Sequence, residues 1–582
     1  MSNERTIETP KTSDLVTQTI KINGEEVSRK LNIAAITVNK EINRLPSACI
    51  SIYDGNAASG DFPVSNTDLF TPGNNVEILA GYHSEEDTIF KGVIVKNNIR
   101  MRREGLPLFT VDCRDASYKT SLIQKSRYFY EKNDSEIIKE ILGDYELETD
   151  IESTEVTHPE VIQFDVTDWD FIMTRIDLNG KVGLVDDGEF SVKSPEIADE
   201  EVVKVTYGAT MLEFDGEIDG RLQYSGVKAF SWNYSSQEIS GAEASEPGTS
   251  EPGNISAKDI ASSLEMEVFQ MQHGGSLSDE VMQLWADARL LKNRLAKVRG
   301  RVKFKGKADV KPGKTIAIEG VGDRMSGNHF ISGVRHQIYE GKWETDVQFG
   351  LDPKWFTELY DNVRSKLSTV SSLVNGLQVG VVTKLEGDPD GENRIQVKLP
   401  VINPDEEGVW SRLACLDAGD GRGTFFRPEI GDEVVVGTFA SDPLNPVVLG
   451  MLHSSAKPTP KELSDDNHEK GYISRSEMKL LFNDDKKSVT LETPAGKTFK
   501  IDEDAGSIVL EDENSNTITM NSDGISMESG KDLNIKATGD VNIEGVNVNT
   551  KAQASYKAEG SAGAELTSSA NVKIQGALVQ IN

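Results

Sequence analysis

The sequence is poor in cysteine, and this scarcity excludes two common ways of stabilising a protein. Its 582 residues contain three cysteines, Cys49, Cys113 and Cys415, which are widely spaced. So few thiols cannot form a disulfide framework, and no CxxC pair is present to hold a thiolate zinc site. The pattern is typical of a protein that folds in a reducing cytoplasm.

Long apolar runs and an excess of positive charge are also missing. No stretch of about 18 apolar residues occurs, and the first residues, MSNERTIETP, lack the apolar region of a secretory signal. We therefore predict assembly in the cytoplasm without a signal peptide. The chain carries 62 basic and 95 acidic residues, a net charge of −33, which disfavours nucleic-acid binding because such a surface repels phosphate backbones.

Catalytic and metal-binding motifs are absent as well. The sequence has no HExxH, no GxSxG and no phosphate-binding loop ending in Lys and Ser or Thr. His329 and His336 are seven residues apart and are interpreted as ordinary strand histidines, and the glycine-rich stretch Gly419–Gly423 as a barrel loop. We predict no catalytic residue, no cofactor and no metal site.

The residues that are present indicate a mainly β protein with an α+β first part, which we place at residues 1–370. Glycine is plentiful, at 50 residues, and short alternating strands are separated by turn signals such as Asn23-Gly24 and Asp54-Gly55. Three helices interrupt them: one capped by Asp134, one over Asp168–Gly180, and one that Ser278 caps and Gly300 ends. We expect β-barrel domains with a few helices, and a flexible linker near 237–257, which is rich in Gly, Ser, Glu and Pro.

Residues 376–456 form a second compact β unit. Val379–Lys384, Arg394–Leu399, Val434–Phe439 and Val447–Leu452 read as strands joined by tight turns. Several short strands in so few residues predict a small barrel of the OB-fold type. A linker is expected at 457–472, an interval too short for a folded catalytic domain.

The last segment, 473–582, repeats one pattern. Alternating apolar pairs recur about every eight residues, with Gly or Asn between most of them. These pairs are Val489/Leu491, Phe499/Ile501, Ile508/Leu510, Ile518/Met520, Ile525/Met527, Leu533/Ile535, Val541/Ile543 and Val546/Val548. The pattern fades towards the end of the chain, where Ala, Gly, Ser and Val predominate.

Such a repeat predicts a solenoid in which each unit is one strand and a turn. A single strand cannot bury its own apolar face, so we favour three chains that wind together into an intertwined β-helix and share one apolar axis. A monomeric β-solenoid is the alternative. The small distal side chains suit a narrow needle rather than a ligand pocket.

Several motifs make the chain resemble a known family, the Vgr spike proteins of type VI secretion and the spikes of phage-tail-like extracellular injection systems. In the first part the similar stretches are Asn43–Ala48, Phe70–Gly73, Ile89–Gly92, Thr167–Phe171, Asn179-Gly180, Arg299-Gly300, Gly327–Phe330 and Gly341–Trp343; in the barrel they are Pro428–Val436, Asp442-Pro443 and Pro446–Gly450. Within these motifs Trp169, Phe171 and Trp343 are predicted to pack in the core, and Pro428 and Gly431 to shape a turn.

The resemblance implies a hub, a barrel collar and a needle that form a homotrimer. It implies that the hub nucleates the inner tube within a baseplate, that a PAAR-type tip protein binds the needle end at Gln580, Ile581 and Asn582, and that effectors are carried. The particle would then be delivered or released, with the target membrane contacted only during injection. The alternatives are a cell-wall hydrolase on a β scaffold and a fibre-like adhesin.

Overall fold

A computed structural model describes residues 15–360, 363 and 366–581 of the chain. It divides into two compact units, 1–453 and 454–582, which are described separately below. The regular elements of both are mostly strands, which confirms a mainly β fold with a few helices.

The first unit begins with seven strands, most of which alternate more and less buried side chains, as a sheet with one buried face requires. They are β1 (Val16–Ile22), β2 (Glu25–Glu26), β3 (Ile33–Glu41), β4 (Ser47–Tyr53), β5 (Asn75–Tyr82), β6 (Glu85–Arg100) and β7 (Leu108–Arg114). Short 3₁₀ helices occupy Asp68–Phe70 and Ala116–Ser121.

A helical layer follows. Its elements are β8 (Gln124–Asn133), α1 (Asp134–Gly143), β9 (Glu148–Ile151), β10 (Thr157–Thr167), α2 (Asp168–Leu178), β11 (Val182–Asp186) and β12 (Glu189–Lys193). The prediction that Asp134 caps α1 is wrong, because Asn133 accepts the bond from the Glu136 amide. Asp134 is instead buried, where it accepts from Arg175 Nε at 2.5 Å and lies 3.1 Å from His158 Nε2.

The part of the first unit that precedes the barrel is called the hub below. The remainder of the hub, after the helical layer, consists mainly of strands. Its elements are β13 (Val203–Thr206), β14 (Met211–Ile218), β15 (Val227–Asn233), β16 (Glu238–Glu243), α3 (Ala257–Ser263), β17 (Phe269–His273), α4 (Asp279–Leu295), β18 (Val298–Lys305), β19 (Thr315–Glu319), β20 (Gly327–Tyr339), β21 (Lys342–Phe349) and α5 (Phe356–Leu359). Ser278 caps α4 as predicted, but the helix ends at Leu295 rather than at Gly300.

One sheet of thirteen strands organises this unit. Its main path runs β14-β18-β21-β20-β3-β4-β7-β6-β5-β1-β2, and β13 and β19 join it through β20. Two apolar cores lie on it, one beneath β1–β7 and one beneath β18–β21. Trp343 belongs to the first core and packs against Gly306, where an added Cβ would lie 1.9 Å from the indole ring.

The predicted flexible linker at 237–257 is instead a strand and a fixed loop. β16 occupies its first part. The loop that follows is held by Arg294, which pairs with Glu246, and by Lys297, whose buried ammonium donates to Glu251 Oε2, Pro252 O and Ile255 O. The cations that fix this loop lie on and just after α4, some 45 residues away, so its own composition does not reveal them.

A small closed barrel completes the first unit. Its strands are β22 (Gln378–Lys384), β23 (Ile395–Lys398), β24 (Val409–Leu413), β27 (Glu433–Thr438) and β28 (Pro446–Met451), and a hairpin of β25 (Ala418–Gly419) and β26 (Arg422–Gly423) lies within one loop. The barrel core includes Ile162 from β10, so the hub and the barrel share one apolar cluster. Gly431 has a φ of +85°, as the predicted turn requires.

The second unit is an antiparallel meander. Its seven strands are paired in chain order: β29 (Glu469–Ile473), β30 (Lys479–Asn483), β31 (Ser488–Glu492), β32 (Thr498–Asp502), β33 (Ser507–Glu511), β34 (Thr517–Asn521) and β35 (Gly524–Glu528). Within the described residues 529–581 no strand follows, so the strands predicted at Leu533/Ile535 and beyond are not formed within a single chain.

Candidate functional site

The outstanding surface of the second unit is one face of its seven-stranded sheet, which we name the apolar face. Cross-strand partners lie on the same side of a sheet, and the register places apolar residues directly opposite one another. Two columns result: Tyr472, Leu480, Leu491, Phe499, Leu510, Ile518 and Met527 form the first, and Phe482, Val489, Ile501, Ile508, Met520 and Ile525 the second.

This face is not covered in the single chain. Eleven of its thirteen side chains are between 37% and 67% exposed, and Val489 and Ile518 are half-buried. A contiguous exposed apolar surface marks an interaction site, because soluble proteins rarely leave one in contact with water.

The opposite face of the same sheet is largely polar. It carries Ser, Thr, Lys, Glu and Asp side chains, and ion pairs link Lys479 to Glu492 and Lys500 to Asp502. Because a strand alternates its two faces, the predicted period-two pattern is confirmed over β31–β35 and indicates which side is meant for water.

The turns between these strands explain three glycines of the repeat, Gly496, Gly506 and Gly524. Each connection contains or borders one residue with positive φ, which permits a tight reversal: Glu477, Lys487, Gly496, Gly506, Ser515 and Gly524. With such short connections the strands can only pair with their sequence neighbours, which sets the meander.

Sequence reasoning missed β29 and β30, although Leu480 and Phe482 extend the apolar face. The signal was present as alternate apolar residues in the stretch KLLFN, but the adjacent Leu481 made it look like a continuous apolar run.

Beyond the sheet the chain is extended and exposed. Leu533, Ile535, Val541 and Ile543 are all more than half exposed, and described residues 531–581 form no strand within the chain. Of the residues predicted to bind a tip protein, Gln580 and Ile581 are exposed in this stretch, and Asn582 lies outside the described residues.

The strongest hub motif, Thr167–Phe171, has a structural role. Asp168 is fully buried and accepts bonds from Lys125 Nζ at 2.7 Å, Tyr145 Oη at 2.6 Å and Gln163 Nε2 at 2.8 Å. Trp169 and Phe171 lie in the core of the helical layer, as predicted.

The two histidines are buried apart from each other and contact protein groups. His329 Nε2 is 2.8 Å from the Met325 carbonyl and His336 Nδ1 is 3.0 Å from Thr345 Oγ1. Burial lowers the pKa of His329 to about 4 and that of His336 to about 3, so both are neutral near pH 7.

The described residues contain neither a metal-ligand cluster nor a helix suited to cross a membrane. Across the positions that the structure describes, His, Cys, Asp and Glu side chains nowhere gather in a group of three suited to a metal ion. No helix in the described part of the chain combines the length and the hydropathy that crossing a bilayer requires.

Two families match the sequence. Residues 12–340 match the family described as the Alg8 N-terminal domain, and residues 378–453 match the type VI secretion system/phage-baseplate injector OB domain. The second match coincides with the closed barrel.

Curated relatives with detectable similarity include spike proteins of Pseudomonas aeruginosa. The type VI secretion system spike protein VgrG4b is 34% identical over 151 residues, which cover 23% of this chain and 18% of the relative; VgrG1a is 25% identical over 166 residues, 26% of each. The matched part therefore spans about a quarter or less of these relatives.

Solved structures show the same fold. The PdpA-VgrG complex in its lidless form covers 89% of this chain and 99% of the matched chain with a TM-score of 0.52 at 10% identity, and the half-lidded complex from Francisella covers 88% of each with the same TM-score at 9% identity. Since the first family match spans more than half of the 582 residues, the chain belongs to the family of the Alg8 N-terminal domain, and its resemblance to the Vgr spike proteins is confirmed.

Proposed function

We propose that this protein is a structural spike and hub of a contractile injection apparatus and that it works as a homotrimer. The observation that carries the proposal is the uncovered apolar face of the seven-stranded sheet. Three copies that turn this face towards a common axis would cover it without leaving a new apolar surface exposed.

The energy available from this burial is large enough to hold three chains together. Complete burial of a Leu, Ile, Phe or Met side chain stabilises by about 1.5–3 kcal/mol. With eleven side chains about half exposed, completing their burial contributes on the order of 10 kcal/mol for each chain.

The segment after the sheet supports the same assembly. A strand needs neighbours for its backbone hydrogen bonds, and the alternating residues 531–581 have none within the described chain. Strands from two other copies would supply these neighbours and would cover Leu533, Ile535 and the alternating residues that follow.

Partners of the trimer follow from the resemblance. We propose that the hub carries the first ring of inner tube protein within a baseplate, and that a PAAR-type tip protein caps Gln580, Ile581 and Asn582. One structural neighbour was solved as a complex with PdpA, which supports a further bound protein or effector here. The target membrane is contacted only during injection.

We propose a mechanical rather than an enzymatic role. The curated relatives are named as spike proteins. We propose that the protein assembles in the cytoplasm and is later delivered or released as part of the particle. Purified protein should release no soluble fragments from peptidoglycan, and release that a single carboxylate substitution abolishes would establish the hydrolase instead.

Cryo-electron microscopy of the purified full chain tests the assembly. We expect a reconstruction with threefold symmetry, in which the side chains of Leu491, Phe499 and Leu510 face the symmetry axis. Averages with twofold symmetry, or with the polar face of the sheet inward, would contradict the proposal.

A further inference from the structure

A small cavity lies where the hub sheet of β15, β16 and β17 meets the barrel. It encloses about 160 Å³. Its hub wall is formed by the end of β15 and the turn after β17, and its barrel wall by Arg394 just before β23, by β24 and by the loop before β28. The side chains that line it include Trp232, Tyr234, Arg394, Trp410, Arg412 and Phe439.

The cavity has a rigid base. Asp442 is fully buried and accepts from Asn445 Nδ2 at 2.8 Å, and its carboxylate lies 3.2 Å from His273 Nε2. Asn445 in turn accepts from the Ser276 amide and donates to the Ser276 carbonyl, so it binds the hub turn to the barrel loop. The side chains of Asp442, Asn445 and His273 use their hydrogen-bonding atoms on these protein partners, so they are not available to a ligand.

Two arginines line the cavity, and they differ in their partners. Arg394 is paired with Asp388 at 2.6 Å and also with Asp390, so its charge is already compensated. Arg412 lies 4.8 Å from the centre of the Tyr234 ring, and among the described residues no carboxylate lies within ion-pair distance of it. Arg412 is exposed, so its guanidinium is available to pair with the carboxylate of a ligand.

Three further side chains of the lining can donate a hydrogen bond: Tyr234, Trp232 and Trp410. The Tyr234 hydroxyl makes no hydrogen bond with a described residue, and burial raises its pKa, so it keeps its proton. The indole N–H groups of Trp232 and Trp410 add two donors, while their rings and Phe439 provide apolar walls. Donors around an apolar space suit an anion with an apolar body, whereas a sugar needs acceptors as well.

We propose that this cavity binds a peptide carboxylate that lies next to an apolar side chain. The guanidinium of Arg412, which lies 4.8 Å from the centre of the Tyr234 ring, would pair with the two carboxylate oxygens. The volume is sufficient for one side chain and its carboxylate, not for a longer ligand. The carboxylate is either the C-terminus of a partner protein or an Asp or Glu side chain within it.

Binding of small probes to the full-length protein tests the site through tryptophan fluorescence, because Trp232 and Trp410 line it. N-acetylphenylalanine carries the α-carboxylate, N-acetyl-Glu-Phe-amide carries a side-chain carboxylate, and N-acetylphenylalaninamide carries neither. We expect saturable binding of one of the first two, at least about tenfold tighter than the amide. The tighter of the two identifies the source of the carboxylate.

Variants assign the binding to Arg412. Arg412→Gln should weaken binding by about tenfold and Tyr234→Phe by less, since only one donor is lost. Arg422→Gln is the matched control, because Arg422 is an exposed arginine of the same barrel that pairs with Asp417; it should bind like the wild type. Circular dichroism confirms that each variant is folded.

Three results would overturn the proposal. The first is equal binding of the acid and the amide, the second is the absence of saturable binding by either acid, and the third is preferential binding of glucuronate, which would assign the cavity to an acidic sugar. None of them bears on the number of copies in the assembly, so the outcome is independent of the proposed spike function.

Discussion

Replacing Leu510 by aspartate should dissociate the trimer, whereas replacing its neighbour Val509 should not. Both residues lie on β33, but Leu510 belongs to the apolar face, 44% exposed in the single chain, and Val509 points to the polar face. The two variants therefore introduce the same side chain into the same strand, but on opposite faces of the sheet.

The magnitude follows from the burial of the face. Leu510→Asp removes about 1 kcal/mol of burial per chain, and an unpaired carboxylate in apolar surroundings costs several kcal/mol more. A threefold assembly suffers the change three times, for a loss of roughly 10–15 kcal/mol. Burial of three apolar faces stabilises the assembly by about 30 kcal/mol, whereas two association steps cost on the order of 10 kcal/mol each. The net free energy of association that remains is no larger than the loss from the three substitutions, so the assembly should dissociate.

Sedimentation velocity at low micromolar concentration reports the outcome. Leu510→Asp should sediment as single chains and Val509→Asp as the wild-type assembly. If Leu510→Asp keeps the wild-type sedimentation coefficient, or if both variants dissociate equally, the apolar face is not the contact between copies.

Three further predictions concern the first unit. Glu160 has a buried Oε1 without a hydrogen-bond partner, and burial raises its pKa to about 8, so Glu160→Gln should stabilise the unit, by more at pH 8 than at pH 6, in thermal unfolding. A destabilised Gln variant would contradict this. His336 has a folded pKa of about 3, below its unfolded value near 6.5, so protonation favours unfolding and stability should fall as the pH drops from 6.5 towards 4. His336→Gln should flatten that fall, and an unchanged slope would contradict the assignment. Lys297→Met should free the loop at Glu251 and accelerate its proteolysis, as the appearance of a new cleavage fragment would show; an unchanged digestion pattern would mean that other contacts hold the loop.

The repeat at the end of the chain shows what a sequence can reveal. Alternation of apolar residues identifies strands and their buried face, because both follow from the backbone period of two. It does not identify the neighbour of each strand. Pairs such as Phe499/Ile501 find partners within the chain, whereas Leu533/Ile535, with the same pattern, find none there.

Contacts between distant residues account for what the sequence could not predict. Asp134 looks like a helix cap in its local sequence, but its partner Arg175 lies 41 residues further along the chain. The cavity at Arg412 was missed for the same reason, since Tyr234 and Trp232 are brought to it by the hub sheet from nearly 180 residues away. Local patterns predict elements, and only the fold brings such groups together.

Sedimentation equilibrium of the full chain over a wide dilution series shows whether three copies cover the apolar face. We expect a particle of three times the 63.8 kDa chain mass that persists on dilution, because each apolar face is covered only by the other two copies. A folded species of 63.8 kDa would show instead that one chain can leave this face in water and that the homotrimer is wrong.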